Sequence, residues 1–474
     1  MTLSTSEPPS LRVAARKPLL DLLLHPESVA IIGASTNPEA LGGRPLGFLS
    51  AYGYAGRVYP VNPNNAVVQG VPAYPSIGDV PEAVDVAMVA VRAELVPDTL
   101  RQCVEAGVGL AIVISSGFGE GTGAGAEYTE QALAAVEGSG MRVLGPNCEG
   151  IASLPDSAPV TFSPVLDIHR SGCRLRQGGI SIIGQSGGLS FAVAQWGSEV
   201  GLGYNAIITT GNEMDIDELE LAAELVHDPN TEVLVLLMEG LRDIDRFGDV
   251  AAAYRAAGKS IVVAKMGRTE PGRRAALAHT RHDTGDDALY SKVFEENRVL
   301  RVSSTDELID VLQTITKSKP AKGCRVGIAT TSGGTGVWLA DACVAHGLEV
   351  PRVSDAAQAA MLEFMPPYGS PIGPVDLTAQ FLTGGSFVPP LERLCASGEV
   401  DMVILATSLS SSGRLDGDRE NLARLAAESP VPVALFTYTK PAPSAVEILN
   451  ELGVPWFTDS LRAARGLAAL VGRK

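Results

Sequence analysis

Short, largely apolar runs alternate along this chain with longer stretches of helical periodicity, and each run ends in small or polar residues. Val29-Ala30-Ile31-Ile32 passes into Gly33-Ala34-Ser35, Arg57 to Val61 into Asn62-Pro63, and Val84 to Val91 into Arg92. Leu110 to Ile114 is followed by Ser115-Ser116-Gly117-Phe118, and Met141 to Leu144 by Gly145-Pro146-Asn147-Cys148. Runs such as Val29 to Ile32 and Leu110 to Ile114, apolar throughout rather than at every second residue, read as strands buried on both faces. Their alternation with helices predicts a parallel α/β sheet with crossover helices. Ligands of such sheets bind at the carboxyl ends of the strands, where the small and polar residues gather here.

The pattern returns twice. After an irregular, proline-containing connection over residues 151–178, Ile180 to Ile183 runs into Gly184-Gln185-Ser186-Gly187-Gly188 and then a helix toward Val200. The runs Ala206 to Thr209, Val233 to Met238 and Ile261 to Ala264 end at Gly211-Asn212-Glu213, at Glu239-Gly240 and in the Gly/Arg-rich stretch Lys265 to Gly285. The segment KSKPAKG at 317–323 reads as a linker. Beyond it come Val326 to Ala329, the glycine-rich Thr330 to Gly336 opening a helix, and the runs Met402 to Ala406 and Val433 to Thr437. The expected organisation is a disordered or extended start over 1–24, then α/β domains over 25–150, 151–316 and 324–474.

A chain of 474 residues has room for roughly three domains with cores of their own. Its formal net charge of -17 repels nucleic acid and anionic membranes as a whole, so any phosphate must be met locally, by helix ends and a few arginines. The six cysteines are scattered without a C-x-x-C pair, which suggests neither a zinc site nor a disulfide framework and suits a reducing cytoplasm. Leu19 to Leu24 is short and interrupted by Asp21, unlike a signal peptide, and no later run approaches a membrane span. A cytoplasmic location is expected.

Chemistry gathers at the strand ends. The first loop lacks a full G-x-G-x-x-G, and the second strand ends in Asn62 where a dinucleotide site wants an acid, so only a generic nucleotide-like site is indicated there. Gln185-Ser186-Gly187-Gly188 and Ser332-Gly333-Gly334 share one design. A glycine turn opening a helix presents amides and a partial positive charge to a phosphate, although glycine in a tight turn explains either loop alone. Glu239 closes an apolar strand at the ligand edge, from which the loop carrying His279 also departs. A carboxylate there can fix an imidazole tautomer and support a charged ring, whereas an isolated histidine reads as surface.

The ordered motifs Gly33-Ala34-Ser35, Pro60-Val61-Asn62-Pro63, Ser115-Ser116-Gly117-Phe118, Gly145-Pro146-Asn147-Cys148, Gln185-Ser186-Gly187, Gly211-Asn212, Glu239-Gly240, Gly267-Arg268-Thr269-Glu270 and His279-Thr280 resemble the NDP-forming acyl-CoA synthetases, relatives of succinyl-CoA synthetase. Ser332-Gly333-Gly334 and Pro374-Val375-Asp376-Leu377 extend the resemblance through the third unit. It implies a Rossmann-like CoA-binding domain followed by two flavodoxin-like domains. It also implies interconversion of a carboxylic acid, CoA and a nucleoside triphosphate with acyl-CoA, the diphosphate and phosphate, by way of an acyl phosphate and a phosphohistidine. On this resemblance His279 is the phosphohistidine and Glu239 its orienting carboxylate. Gln185, Ser186, Gly187, Gly188, Ser332, Gly333 and Gly334 hold the phosphoryl group without a metal. CoA falls to Gly33, Ala34, Ser35, Gly42, Asn62, Pro63, Ser115, Ser116, Gly117, Phe118, Asn147 and Cys148.

Two departures stand out from the family pattern. Pro38 is followed by Glu39-Ala40-Leu41-Gly42 instead of Pro-Gly-Lys-x-Gly, so Arg44 or Arg92 would have to meet the CoA phosphates. After His279-Thr280 come Arg281-His282-Asp283-Thr284 in place of small residues. The resemblance implies an α-type subunit that works with a separate ATP-grasp β-type subunit carrying ATP/ADP or GTP/GDP with Mg, the assembly being a hetero-oligomer or a homodimer. Two readings remain open: a working ligase with a specialised loop, or a CoA-binding acyltransferase or non-catalytic CoA-binding subunit without the phosphohistidine shuttle.

Overall fold

The structure, a computed structural model, describes residues 17–118, 124–279, 283–382 and 386–472. Two compact units result, one reaching to Gln195 and including Gly203–Val302, the other made of Trp196–Leu202 and the chain from Ser303 onward.

In the first unit a short helix α1 (Leu19–Leu24) leads to strand β1 (Ser28–Ile32). Helix α2 (Arg44–Tyr52) starts behind Gly43 with Pro45 in its first turn and stops at Gly53, whose φ of 79° only glycine adopts cheaply. Strands β2 (Arg57–Val61), β3 (Val86–Val89), β4 (Leu110–Val113) and β5 (Arg142–Leu144) complete a five-stranded parallel sheet in the order β2-β1-β3-β4-β5. The order reverses direction between β1 and β3, and a crevice opens at such a switch point. All four residues of β3 are fully buried, as an all-parallel sheet covered on both faces requires.

The second sheet holds β6 (Gly150–Ser153), β7 (Ala158–Thr161), β8 (Arg176–Gly184), β9 (Gly203–Thr209), β10 (Val233–Met238), β11 (Ser260–Lys265) and β12 (Leu300–Val302), in the order β12-β11-β10-β8-β9-β6-β7. Its parallel part, β9-β8-β10-β11-β12, repeats the topology of the first sheet. Between its strands lie helices α3 (Gly187–Glu199), α4 (Glu218–Leu225), α5 (Glu270–His279) and α6 (Asp287–Glu296). In the second unit α7 (Thr305–Lys317) precedes β13 (Val326–Thr330), α8 (Gly333–Ala345), β14 (Val375–Asp376), β15 (Met402–Thr407), β16 (Val433–Thr437), β17 (Trp456–Phe457) and α9 (Ser460–Ala468). The sheet order β14-β13-β15-β16-β17 is the same doubly wound scheme a third time.

Three expectations need correcting. Residues 19–24 are helical, not extended, because Leu22, Leu23 and Leu24 bury together against the first unit's core. The connection over 151–178 is not irregular throughout: β6 and β7 form an antiparallel hairpin that extends the second sheet beyond β9. Pro159 sits in its outer strand, where a missing N–H costs least and further pairing is discouraged. The expected linker at 317–323 lies inside the second compact unit, since α7 already belongs there. Arg462 of α9 holds the fully buried Asp310 of α7 through Nε to Oδ2 and Nη2 to Oδ1, both at 2.9 Å. No helix among the described residues is long and apolar enough to cross a membrane.

Candidate functional site

The crevice at the β1/β3 switch point is built by backbone packed on backbone. Gly33, at a φ of +85°, lies so close to the next strand end that a Cβ would stand 2.4 Å from the Ala90 carbonyl oxygen. A Cβ on Gly42 would meet the Gly33 carbonyl oxygen at 2.3 Å, so the loop from Gly33 to Gly42 folds tightly back on itself. The Ser35 N–H donates to the Gly42 carbonyl, and the Gly33 and Ala34 N–H groups to Val61. Asn62 Nδ2 donates to the Ala34 carbonyl at 2.8 Å while its Oδ1 accepts from the Asn64 and Asn65 amides, so this side chain ties two strand-end loops together. Pro63 follows it into solvent. Gln69, which the sequence did not single out, buttresses the loop by donating to the carbonyls of Ser35 (2.9 Å) and Gly43 (3.0 Å).

Two arginines suggested for CoA phosphates are engaged elsewhere. Arg44 Nη1 donates to the Phe162 carbonyl at 3.2 Å, and Arg92, 78% exposed, pairs through Nε with Glu94 at 3.2 Å. The Ser115 hydroxyl is turned to the Val91 carbonyl and joins the ends of β3 and β4. Ser116 and Gly117 are exposed, and Phe118 is buried edge-on against Tyr128.

The loop after β5 meets the loop after β9. A Cβ on Gly211 would lie 2.2 Å from the Pro146 carbonyl oxygen. The Asn212 N–H donates to that carbonyl at 2.9 Å, and Asn147 Nδ2 to Asn212 Oδ1 at 3.3 Å. Asn147, at a φ of +57°, is thus held at the junction of the two sheets. The Cys148 thiol is turned inward. The residue is 2% exposed with its thiol on the Val113 carbonyl, and burial pushes its pKa up to about 12, so the side chain packs the strand ends.

Gln185 is turned inward as well. Its side chain, 1% exposed, accepts from the N–H of Glu239 (2.5 Å) and of Gly240 (3.1 Å) and donates to the Gly240 carbonyl (2.7 Å). These three hydrogen bonds tie the Gln185 side chain to the Glu239-Gly240 backbone and so position Glu239. Ser186 and Gly187 at the start of α3 are half-buried and Gly188 is exposed. Glu149, missed in the sequence, stands against this helix start: a Cβ on Gly187 would lie 2.5 Å from its Cγ. Its Oε2 is buried without a hydrogen-bond partner among the described residues, and burial raises its pKa, opposed by Ser163 and Arg44.

Behind Glu239, Lys265 Nζ donates to the carbonyls of Glu239 (2.7 Å) and Met266 (2.6 Å) and lies 4.6 Å from the centre of the Tyr290 ring. Burial brings its pKa down to about 8. Glu218 is fully buried with neither carboxylate oxygen hydrogen-bonded among the described residues. Burial first, then Glu213, Asp217 and Glu239, push its pKa well up, while Lys265 pulls it down.

The stretch carrying His279 closes on this place. A Cβ on Gly240 would lie 2.0 Å from the Asp283 carbonyl oxygen, and one on Gly267 would lie 2.4 Å from Cγ2 of Thr284, which is buried. Both ends of the loop therefore press together beside Glu239-Gly240, with α5 between them ending at His279. The His279 side chain, and residues 280–282 with Arg281 and His282, lie outside the described residues.

In the second unit Ser332 precedes α8, its N–H donating to Thr330 Oγ1 at 3.0 Å. Gly333 and Gly334 are exposed. A Cβ on Gly333 would lie 2.9 Å from Asp376 Oδ2, so the Asp376 carboxylate stands beside the helix start, while the space around Gly334 is open.

Three family models match the chain in order: a CoA binding domain over residues 27–153, a succinyl-CoA ligase like flavodoxin domain over 177–315, and a ligase-CoA domain over 326–387. The chain is 33% identical over 461 residues to acetate–CoA ligase [ADP-forming] I subunit alpha of Pyrococcus furiosus, covering 95% of this chain and 97% of that one. It is 32% identical over 454 residues to acetate–CoA ligase [ADP-forming] I of Archaeoglobus fulgidus, covering 95% of this chain but 63% of that longer protein. The solved apo structure of the dinucleotide forming acetyl-coenzyme A synthetase 1 of Ca. Korarchaeum cryptofilum superposes with a TM-score of 0.82 at 28% identity, over 96% of either chain. With an α subunit matched over nearly its whole length, this chain belongs to the NDP-forming acyl-CoA synthetase family.

Proposed function

We propose that the chain is the CoA- and phosphoryl-handling α-type subunit of an NDP-forming acyl-CoA synthetase. It interconverts a carboxylic acid, CoA and a nucleoside triphosphate with acyl-CoA, the diphosphate and phosphate. The observation that carries this reading is the closure of the His279 loop beside Glu239, whose backbone Gln185 clamps, next to the glycine start of α3. In the synthetic direction His279 carries a phosphoryl group, and the acid's carboxylate attacks phosphorus to give an acyl phosphate and the free imidazole. The CoA thiol sulfur then attacks the acyl carbon, the C–O bond to phosphate breaks, and inorganic phosphate leaves. Glu239 stabilises the cationic phosphorylated ring, and amides at Ser186-Gly187-Gly188 meet the phosphoryl oxygens. Ser332-Gly333-Gly334, which opens α8, is of the same anion-binding type. CoA lies over the strand ends at Gly33-Ala34-Ser35, Asn62 and Ser115 to Phe118.

The nucleotide step falls to an ATP-grasp partner, with Mg and ATP or GTP. The match to an α subunit, and the longer single-chain relative of which this chain spans 63%, support that division. The six free cysteines suit a reducing cytoplasm. The test is incubation of the chain, with and without an ATP-grasp partner, with labelled nucleotide. Acid-labile label on the chain that is lost in His279→Ala, with CoA binding kept, is the expected result. CoA binding without label under any condition would leave an acyltransferase or non-catalytic CoA-binding subunit in its place.

A further inference from the structure

A cavity of about 630 Å³ opens within the first unit, at the carboxyl ends of strands from both of its sheets. Its apolar lining includes Phe118, Met214, Leu241, Ile244, Leu289 and Tyr290. Phe118, Met214 and Tyr290 are buried, and Leu289, 46% exposed, stands at the mouth. Phe118 directly follows Ser115-Ser116-Gly117. Leu241 lies two residues beyond Glu239, its N–H donating to Tyr290 Oη at 2.7 Å. Asp283, whose carbonyl abuts Gly240, is also in the wall. The cavity thus adjoins the CoA cradle on one side and the Glu239 segment on the other. An acyl carbon that must meet a phosphoryl oxygen and then a thiol has its substituent in a space adjoining both.

The lining also selects among acids. Arg242 is the one basic residue in it among the described residues, against Asp283 and Asp286. The Asp283 and Asp286 carboxylates accept from the Gly285 and Ala288 amides, both at 3.0 Å, and so stay in place. A second substrate carboxylate would meet net negative charge. Acetate would leave most of a space this size, within the range that encloses whole organic ligands, to water. We propose that this cavity is the acyl pocket and takes a monocarboxylic acid with a bulky apolar substituent, of which phenylacetate is the probe, in preference to acetate or a dicarboxylate. The inference rests on the function proposed above.

The experiment compares kcat/KM for phenylacetate, acetate and succinate on the complete enzyme, this chain with its nucleotide-phosphorylating partner. Each buried methylene-sized group is worth about fourfold, so a ring that is largely buried favours phenylacetate over acetate by on the order of 100-fold. Filling the cavity by Leu241→Trp, or by Ile244→Trp at its half-buried edge should the first variant fail to fold, lowers that ratio at least tenfold on the same scale. Preference for acetate or succinate with normal His279 labelling, or a ratio unmoved by both variants, overturns the pocket assignment and leaves the proposed function standing. Absence of both acyl-CoA and label with every acid overturns the two together.

Discussion

Replacing Gln185 by Leu keeps the volume of a buried side chain and removes three hydrogen bonds at once. The N–H groups of Glu239 and Gly240 and the Gly240 carbonyl lose partners at 2.5, 3.1 and 2.7 Å in a region closed to water. An unsatisfied buried polar group costs about 1–3 kcal/mol, so with partial relaxation the variant should lose roughly 3–5 kcal/mol of stability. The gain from burying an apolar side chain, at most about 1–2 kcal/mol, offsets only part of this. The displaced segment carries Glu239, and a shift of about 1 Å in a positioned group is enough for on the order of a 100-fold loss of turnover. CoA binding should persist, because the first sheet's cradle does not involve Gln185. Urea denaturation, CoA titration and acyl-CoA formation separate these effects. A variant with unchanged stability and a raised KM for phosphate would refute the clamp and return Gln185 to the phosphate-ligand role its position in the motif suggests.

Two further outcomes follow from the same packing. Gly211→Ala puts a methyl group 2.2 Å from the Pro146 carbonyl oxygen at a φ of +58°, so thermal unfolding should show a loss of more than about 3 kcal/mol from steric overlap and backbone strain. Glu218 holds its proton to higher pH in the native chain than when unfolded. Its penalty is therefore absent below the ordinary value of 4.5 and grows as pH rises toward the elevated native pKa. Glu218→Gln should gain stability relative to the parent between pH 5 and pH 8. Denaturation series at both pH values check this, and a difference that narrows over the interval would contradict a buried, proton-holding Glu218.

The three sheets were legible because a parallel strand covered on both faces must be apolar at every position. Val29 to Ile32, Val233 to Met238 and Met402 to Ala406 therefore announce themselves without alternation. The glycines that open the loops were legible for a related reason. At Gly33 and Gly240 a backbone passes where a Cβ would stand, and no other residue fits. The α1 helix and the β6–β7 hairpin were not. Six residues of LLDLLL and four of APVT form elements only because the core or a sheet edge receives them.

The roles of single polar side chains were decided by tertiary structure. Gln185, Cys148 and Arg44 sit in or beside motif positions that face a ligand on paper, yet each is spent on a carbonyl or amide brought near it by another segment. Glu149 and Gln69 carry no motif and became visible only through the groups they approach. Local sequence determines which segments are buried strands and which turns need glycine, because burial and backbone angles are set by the residue itself. A polar side chain's partner is set by strand order and register, quantities shared among residues tens of positions apart. So the sequence by itself determined the sheets and the addresses of their loops, and only the fold decided which residue at each address is free to meet a ligand.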